Sequence, residues 1–337
     1  LCLSFKGEKK FSHDDKEKFG ILICNLGTPV SYSVSDVRIF LREFLSDKRV
    51  IELPRIIWWF ILNVFILTLR PFKSAKIYKS VWTDEGSPLL IYSKRLKEKL
   101  DRSSPDNLCF ELGMRYGNPS IKSALENLKN KNCRKILVLP LFPQYSATTT
   151  GSIFDEVTKV MSTWRWVPSL NFINSYHDND DFIDAISSSM KSKLEEINPH
   201  KIIFTYHGIP KKYFDQGDPY HCLCQKTSRL VAEKLGIKEE NFMTTFQSRL
   251  GTAEWLKPYT SDVMKKLPSE GCSNILVIAP GFSVDCLETI EEIDEENKEY
   301  FLESGGKKFT YINCLNDSDQ HVNFLNAFIE QKVSLWN

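Results

Sequence analysis

Four short apolar runs punctuate this chain at wide intervals: residues 20–25, 135–141, 201–206 and 274–279. Each is rich in Ile, Leu or Val, is closed by Gly or Pro, and is separated from the next by stretches with helical patterning. Continuous apolar runs, as opposed to alternating ones, predict strands buried on both faces, hence parallel sheets covered by helices. At 337 residues the chain exceeds the usual size of a single core. The expected fold class is therefore α/β, with two similar units whose strand ends line a shared cleft.

One further run breaks the rhythm. Ile56 to Leu69 reads IIWWFILNVFILTL, almost uninterrupted in its apolar character. A membrane-spanning helix needs about 20 such residues, so this segment predicts a core helix or an interfacial one.

Charge removes several function classes. Lys plus Arg number 44 against 43 Asp plus Glu, which leaves no general nucleic-acid footprint. No zinc-finger, P-loop or Gly-x-Gly-x-x-Gly pattern is present, and the single glycine of Asn25-Leu26-Gly27-Thr28-Pro29 is a poor dinucleotide signal. Nine cysteines at irregular spacing, with no charged-then-apolar leader, predict reduced thiols in a cytoplasmic protein. Cys222 and Cys224 beside His221 form the one tight group, but a structural zinc needs four ligands and the other cysteines lie far away.

The candidate chemistry sits where two of the strand-like runs end. The run 201–206 delivers His207-Gly208-Ile209-Pro210, and the run from Asn274 delivers Asp285-Cys286-Leu287-Glu288. In an open parallel sheet, reactive side chains gather just beyond the carboxyl ends of strands. From Asp285 to Glu299 the chain carries eight acids and one base, Lys298. On a helix Glu288, Glu292 and Glu296 stack on one face, where each like-charge pair costs about 0.2–0.5 kcal/mol. Something must compensate: a hydrated divalent cation suits hard oxygen ligands, and a terminal imidazole suits iron. A solvated acidic helix is the alternative. His13, His177, His200 and His321 lack any such context.

The segments YHGIP (206–210), TFQSRLG (245–251), APGFSVDCLETIEEI (279–293), LPLFPQYSATTTGS (139–152), GMRYG (113–117) and NLGTP (25–29) resemble bacterial ferrochelatases, in that family's order and over about residues 19 to 315. The resemblance implies the chelatase fold, two Rossmann-like domains without a dinucleotide. The first domain would be 19–155, the second 156–319, and a C-terminal helix at 320–333 would pack back on the first. The implied reaction is insertion of ferrous iron into protoporphyrin IX, forming protohaem in the last step of haem biosynthesis. Iron is substrate here, and no cofactor is implied. Some members hold an iron–sulfur cluster through cysteines of a C-terminal extension; with Cys314 the last cysteine, none is expected.

Site residues carry over by motif. His207 and Glu288 would be catalytic and bind the metal, with Glu292 and Glu296 relaying metal or protons. Arg70, Tyr78, Ser87, Arg115, Tyr116, Phe142, Tyr145 and Phe282 fall where the family meets the porphyrin. The run 56–69 matches a hydrophobic lip at the pocket mouth and a possible peripheral membrane contact. One departure stands out: many members carry a histidine where this chain has Cys286, which reads as a small packed thiol. Two other readings remain at this level, a coproporphyrin ferrochelatase and a non-catalytic haem-binding protein on the same fold. The apolar lip favours the less carboxylated substrate over the first. The acidic ladder, which a carrier would not need, speaks against the second.

Overall fold

The computed structural model describes residues 5–8, 14–249, 251 and 253–336. His13 and Leu250 of the motifs above lie outside them. Among the described residues, eight strands form two four-stranded sheets, both wholly parallel. The first contains β1 (Lys18–Thr28), β2 (Leu108–Gly117), β3 (Cys133–Pro140) and β4 (Ser169–Phe172) in the order β2-β1-β3-β4. The second contains β5 (Lys201–His207), β6 (Phe242–Gln247), β7 (Asn274–Ile278) and β8 (Lys308–Ile312) in the order β6-β5-β7-β8. The two orders are the same. All four apolar runs of the sequence are strands, namely β1, β3, β5 and β7, and they are the inner strands of their sheets. Burial explains this: Ile21, Leu22, Ile23, Ile136, Leu137, Val138, Ile203, Phe204, Ile275, Leu276 and Val277 are all fully buried, which suits strands covered on both faces.

The chain divides into two compact units, one of residues 1–141, 147–174 and 325–337, the other of 142–146 and 175–324. The boundary expected near residue 156 is therefore displaced. Residue 156 lies within the helix Ser152–Met161, and β4 follows as the fourth strand of the first sheet, so that, apart from 142–146, the chain stays in the first unit through Asn174. The final helix runs Asp319–Ser334, and its residues from Leu325 belong to the first unit. There Asn326 donates to Ser103, and the Lys135 ammonium donates to the Trp336 carbonyl at 2.8 Å.

The apolar run 56–69 is part of one long helix, Arg55–Val81, whose middle, Ile61–Ile66, winds in wider turns with i to i+5 hydrogen bonds. Among the described residues it is the one helix long and apolar enough, by length and composition, to cross a membrane. It is not a core helix. Trp58, Leu62 and Leu67 are 7%, 2% and 3% exposed and hold it to the unit, whereas Ile56, Trp59 and Leu69 are 87%, 65% and 73% exposed. Ile57, Phe60, Val64, Phe65 and Phe72 join them on the open face.

Candidate active site

In each sheet the chain leaves the central pair of strands toward opposite edges, and the crevice at such a switch point is where open α/β sheets bind ligands. In the second sheet that pair is β5 and β7. His207 is the last residue of β5, half-buried after the fully buried Tyr206. Its Nδ1 lies 2.7 Å from the Gly208 carbonyl oxygen. A carbonyl can only accept, so Nδ1 carries a proton and Nε2 is the ring nitrogen left for other partners. Gly208 is required here: a Cβ on it would stand 2.8 Å from the Gln247 carbonyl oxygen and 3.2 Å from the Trp255 ring.

Beyond β7, the acidic stretch forms Glu288–Asn297, wound throughout in wide i to i+5 turns, and continues as the α-helix Lys298–Glu303. Ile293 and Phe301, both fully buried, anchor it to the sheet core beside Ile203, Ile275 and Val277. Turns of this kind are rare and occur most often at functional sites.

The carboxylates have different fates. Asp285 is 1% exposed and accepts from five donors: the hydroxyls of Thr289 (3.0 Å) and Tyr311 (2.8 Å), the amides of Asn313 (3.1 Å) and Asn316 (2.7 Å), and the Cys314 main-chain N–H (3.3 Å). It ties the start of the acidic helix to the loop after β8. Of the two acids that follow the β7 run, Asp285 is thus the one taken up by the protein's own donors. The Cys286 thiol is buried, and burial first and the Glu288 charge second push it well above the usual range. It stays a neutral thiol facing Glu288, as the packed-thiol reading expected.

Glu292 is gripped by a single residue. The Ser248 main-chain N–H donates to Oε1 at 2.6 Å and the Ser248 hydroxyl to Oε2. Ser248 sits at φ +66°, a left-handed conformation that costs a non-glycine residue about 1–2 kcal/mol and tends to persist at functional sites. Burial raises the Glu292 carboxyl above its ordinary value; the Ser248 donors and the charge of His207 pull the other way, and Glu288 adds to the rise. His207, Glu288 and Glu292 therefore share one electrostatic neighbourhood. Glu296 accepts from the Tyr300 phenol at 2.5 Å, which pushes that phenol up to about 12.

The end of β6 binds these parts together. Gln247 pairs in register with His207, its carbonyl accepts from the Gly208 N–H at 2.8 Å, and its amide donates to the Glu288 carbonyl at 3.0 Å. The sequence reading used TFQSRLG only as a mark of resemblance and missed both Gln247 and Ser248. A strand-end motif beside a histidine-bearing strand was the available signal.

The first unit holds a second charged cluster. Arg115 pairs with Asp47 at 2.5 Å, its guanidinium lies over the Tyr116 ring at 4.6 Å, and its Nε donates to the Ser152 hydroxyl at 2.6 Å. The fully buried Tyr116 donates its phenol to Asp47 at 2.8 Å. Arg115 and Tyr116 are therefore engaged with the protein itself. Tyr78 is buried edge-on between Phe40 and Trp82, and Ser87 is buried, accepting from the Thr28 hydroxyl at 2.9 Å. Arg70 is exposed; Phe142, Tyr145 and Phe282 are half-buried, Phe282 against the core of the second unit. On the helix Tyr220–Lys234, Cys222 is exposed while Cys224 is fully buried, and His221 packs on the Phe214 and Phe246 rings. Two residues apart on a helix, those thiols point in divergent directions. No cluster of three or more metal-ligating side chains occurs among the described residues.

The ferrochelatase family model matches residues 18–333. The chain belongs to the ferrochelatase family. It is 48% identical over 339 aligned positions to the ferrochelatase of Pseudoalteromonas atlantica, covering 99% of this chain and 94% of that one. It is 49% identical to ferrochelatase 2 of Shewanella oneidensis, covering 92% and 96%. Among solved structures it resembles SirB from Bacillus subtilis with Fe3+, at TM-score 0.58 and 12% identity over 93% of this chain and 95% of that one, a likeness of fold. The protein is thus a metal chelatase of haem synthesis, with a porphyrin and ferrous iron as substrates.

Proposed function

We propose that this ferrochelatase inserts ferrous iron into protoporphyrin IX, with His207 and Glu288 as the reacting pair. The observation that supports the reading is that the end of β6 links the three residues: Gln247 pairs in register with His207 and donates to the Glu288 carbonyl, and the next residue, Ser248, holds Glu292. Iron displaces the two inner pyrrole protons as it enters, so the site must take two protons for each metal delivered. Nε2 of His207, the ring nitrogen not engaged with the Gly208 carbonyl, can accept a pyrrole proton or meet the metal. Glu288 supplies the balancing carboxylate, and Glu292 and Glu296 conduct cation or protons along the helix. Binding energy spent on bending the flat macrocycle would tip its pyrrole nitrogens out of plane, toward base and metal. Arg70, exposed on the apolar helix just past its run 56–69, is the candidate partner for a porphyrin carboxylate, because guanidinium and carboxylate pair in a fork.

The open face of Arg55–Val81 supports a peripheral membrane contact by a cytoplasmic protein. Its apolar run is shorter than a span, its exposed Trp59 suits the interface, and Arg55, Arg70, Lys73, Lys76 and Lys79 are unopposed by any acid in the helix. Such a helix lies in the headgroup region, its cations adding about 1 kcal/mol each near an anionic surface.

Anaerobic assay with ferrous iron and either protoporphyrin IX or coproporphyrin III, following product absorbance, tests the reading. Faster turnover of protoporphyrin supports it. Preference for the four-carboxylate substrate overturns the substrate choice, and no turnover of either overturns the chemistry.

A further inference from the structure

We propose that Ser248 is a positioning residue that fixes how Glu292 presents its carboxylate to the incoming cation. The inference rests on reading Glu292 as part of the cation path. Main-chain N–H and hydroxyl belong to the same residue, and the left-handed turn at φ +66° brings both onto one side, where each meets a different oxygen of Glu292. Two donors fixed relative to each other hold a carboxylate in one orientation, as a guanidinium fork does. A carboxylate offers about four lone-pair sites, so this grip leaves each oxygen free to face a hard cation or its water. The main chain of Glu292 is held as well, by the Asn297 amide on its carbonyl at 2.6 Å. Side chain and backbone are thus both restrained, although Ser248 and Glu292 are 44 positions apart. Glycine adopts this φ without strain, so the serine's distinctive contribution is its hydroxyl.

Ser248→Gly is the discriminating variant, since it keeps the backbone conformation and the N–H donor and removes only the hydroxyl. The expected result is an iron KM raised about tenfold, the scale of one hydrogen bond to a charged group. The kcat should stay within about twofold and the porphyrin KM and melting temperature should be unchanged, because Glu292 lies on the cation path and not at the reacting atoms. Cobalt(II) affinity, titrated by its visible absorption without turnover, should weaken in parallel. Combined with Glu292→Gln, the glycine variant should add nothing to the defect of Glu292→Gln alone.

The proposal is overturned if Ser248→Gly keeps wild-type iron KM and cobalt affinity while Glu292→Gln loses them, or if the two defects multiply. A shift confined to the porphyrin KM would make Ser248 a substrate contact and also overturn it. Wild-type iron kinetics in Glu292→Gln would instead remove the cation-path reading, and the positioning role with it.

Discussion

Trp58 and Trp59 are neighbours in sequence with opposite surroundings, and serine at each separates packing from surface function. Trp58 is 7% exposed and its indole N–H donates to the Leu45 carbonyl at 2.6 Å. Removing a buried aromatic costs about 3–5 kcal/mol, and stranding that carbonyl adds about 1–3 kcal/mol where water cannot reach it. At about 2–4 °C per kcal/mol for a unit of this size, Trp58→Ser should lower the melting temperature by about 6 °C or more. Trp59 is 65% exposed. Its truncation should change stability by no more than about 0.5 kcal/mol. Its exposed indole presents about 150 Å² of surface, which at about 25 cal/mol/Å² is an upper bound of about 4 kcal/mol for full transfer into lipid. Half that transfer is about 2 kcal/mol, or about thirtyfold in the partition coefficient onto vesicles. Thermal melts and sedimentation with phosphatidylglycerol-containing liposomes read the two effects separately. If Trp59→Ser melts as early as Trp58→Ser, or binds vesicles as tightly as wild type, the interfacial reading of this helix is wrong.

Other outcomes follow from the same geometry. His207→Ala should abolish metal insertion while porphyrin affinity stays within about tenfold, a difference of 1.4 kcal/mol; substantial turnover by the folded variant would remove the histidine from the chemistry. Glu288→Gln should collapse kcat, whereas Glu292→Gln should act mainly on the dependence on iron concentration, and identical wild-type kinetics in both would return the acidic face to a solvated surface. Burial tends to raise the Asp47 carboxyl, but the Ser152 hydroxyl, the Arg49 N–H, the Tyr116 phenol and the Arg115 charge together hold it below the usual range. A depressed folded value means stabilisation that is present above the unfolded value of about 3.9 and lost as pH falls through the lower folded one. Melting temperature followed from pH 6 to pH 3 should therefore fall more steeply in wild type than in Asp47→Asn, and parallel curves would refute it. Asp285→Ala strands five donors at the start of the acidic helix, so it should lower the melting temperature as well as activity; lost turnover at full stability would instead place Asp285 in the chemistry.

By itself the sequence determined the parallel α/β architecture, the four inner strands, and the strand ends that carry His207 and Glu288. These follow from local pattern, because an apolar run without alternation can be buried only on both faces of a sheet, and a parallel sheet exposes chemistry only where its strands stop. That the segment from Glu288 is acidic and helical was legible too, since both are local properties, although its wide i to i+5 winding was not. Only the tertiary structure decided which carboxylates are free. Local pattern alone does not separate Asp285 from Glu288, yet the loop after β8 saturates the first, and Ser248, just past the end of β6, grips Glu292. The same holds for the run 56–69, where composition is uniform and packing alone separates Trp58 and Leu62 from Ile56 and Trp59. Arg115 and Tyr116, read as porphyrin contacts, are engaged with Asp47, and β4 carries the first unit past residue 156 to Asn174. Each of these is settled by a partner far away in the chain, and no periodicity reports which distant group will satisfy a hydrogen bond or cover a side chain.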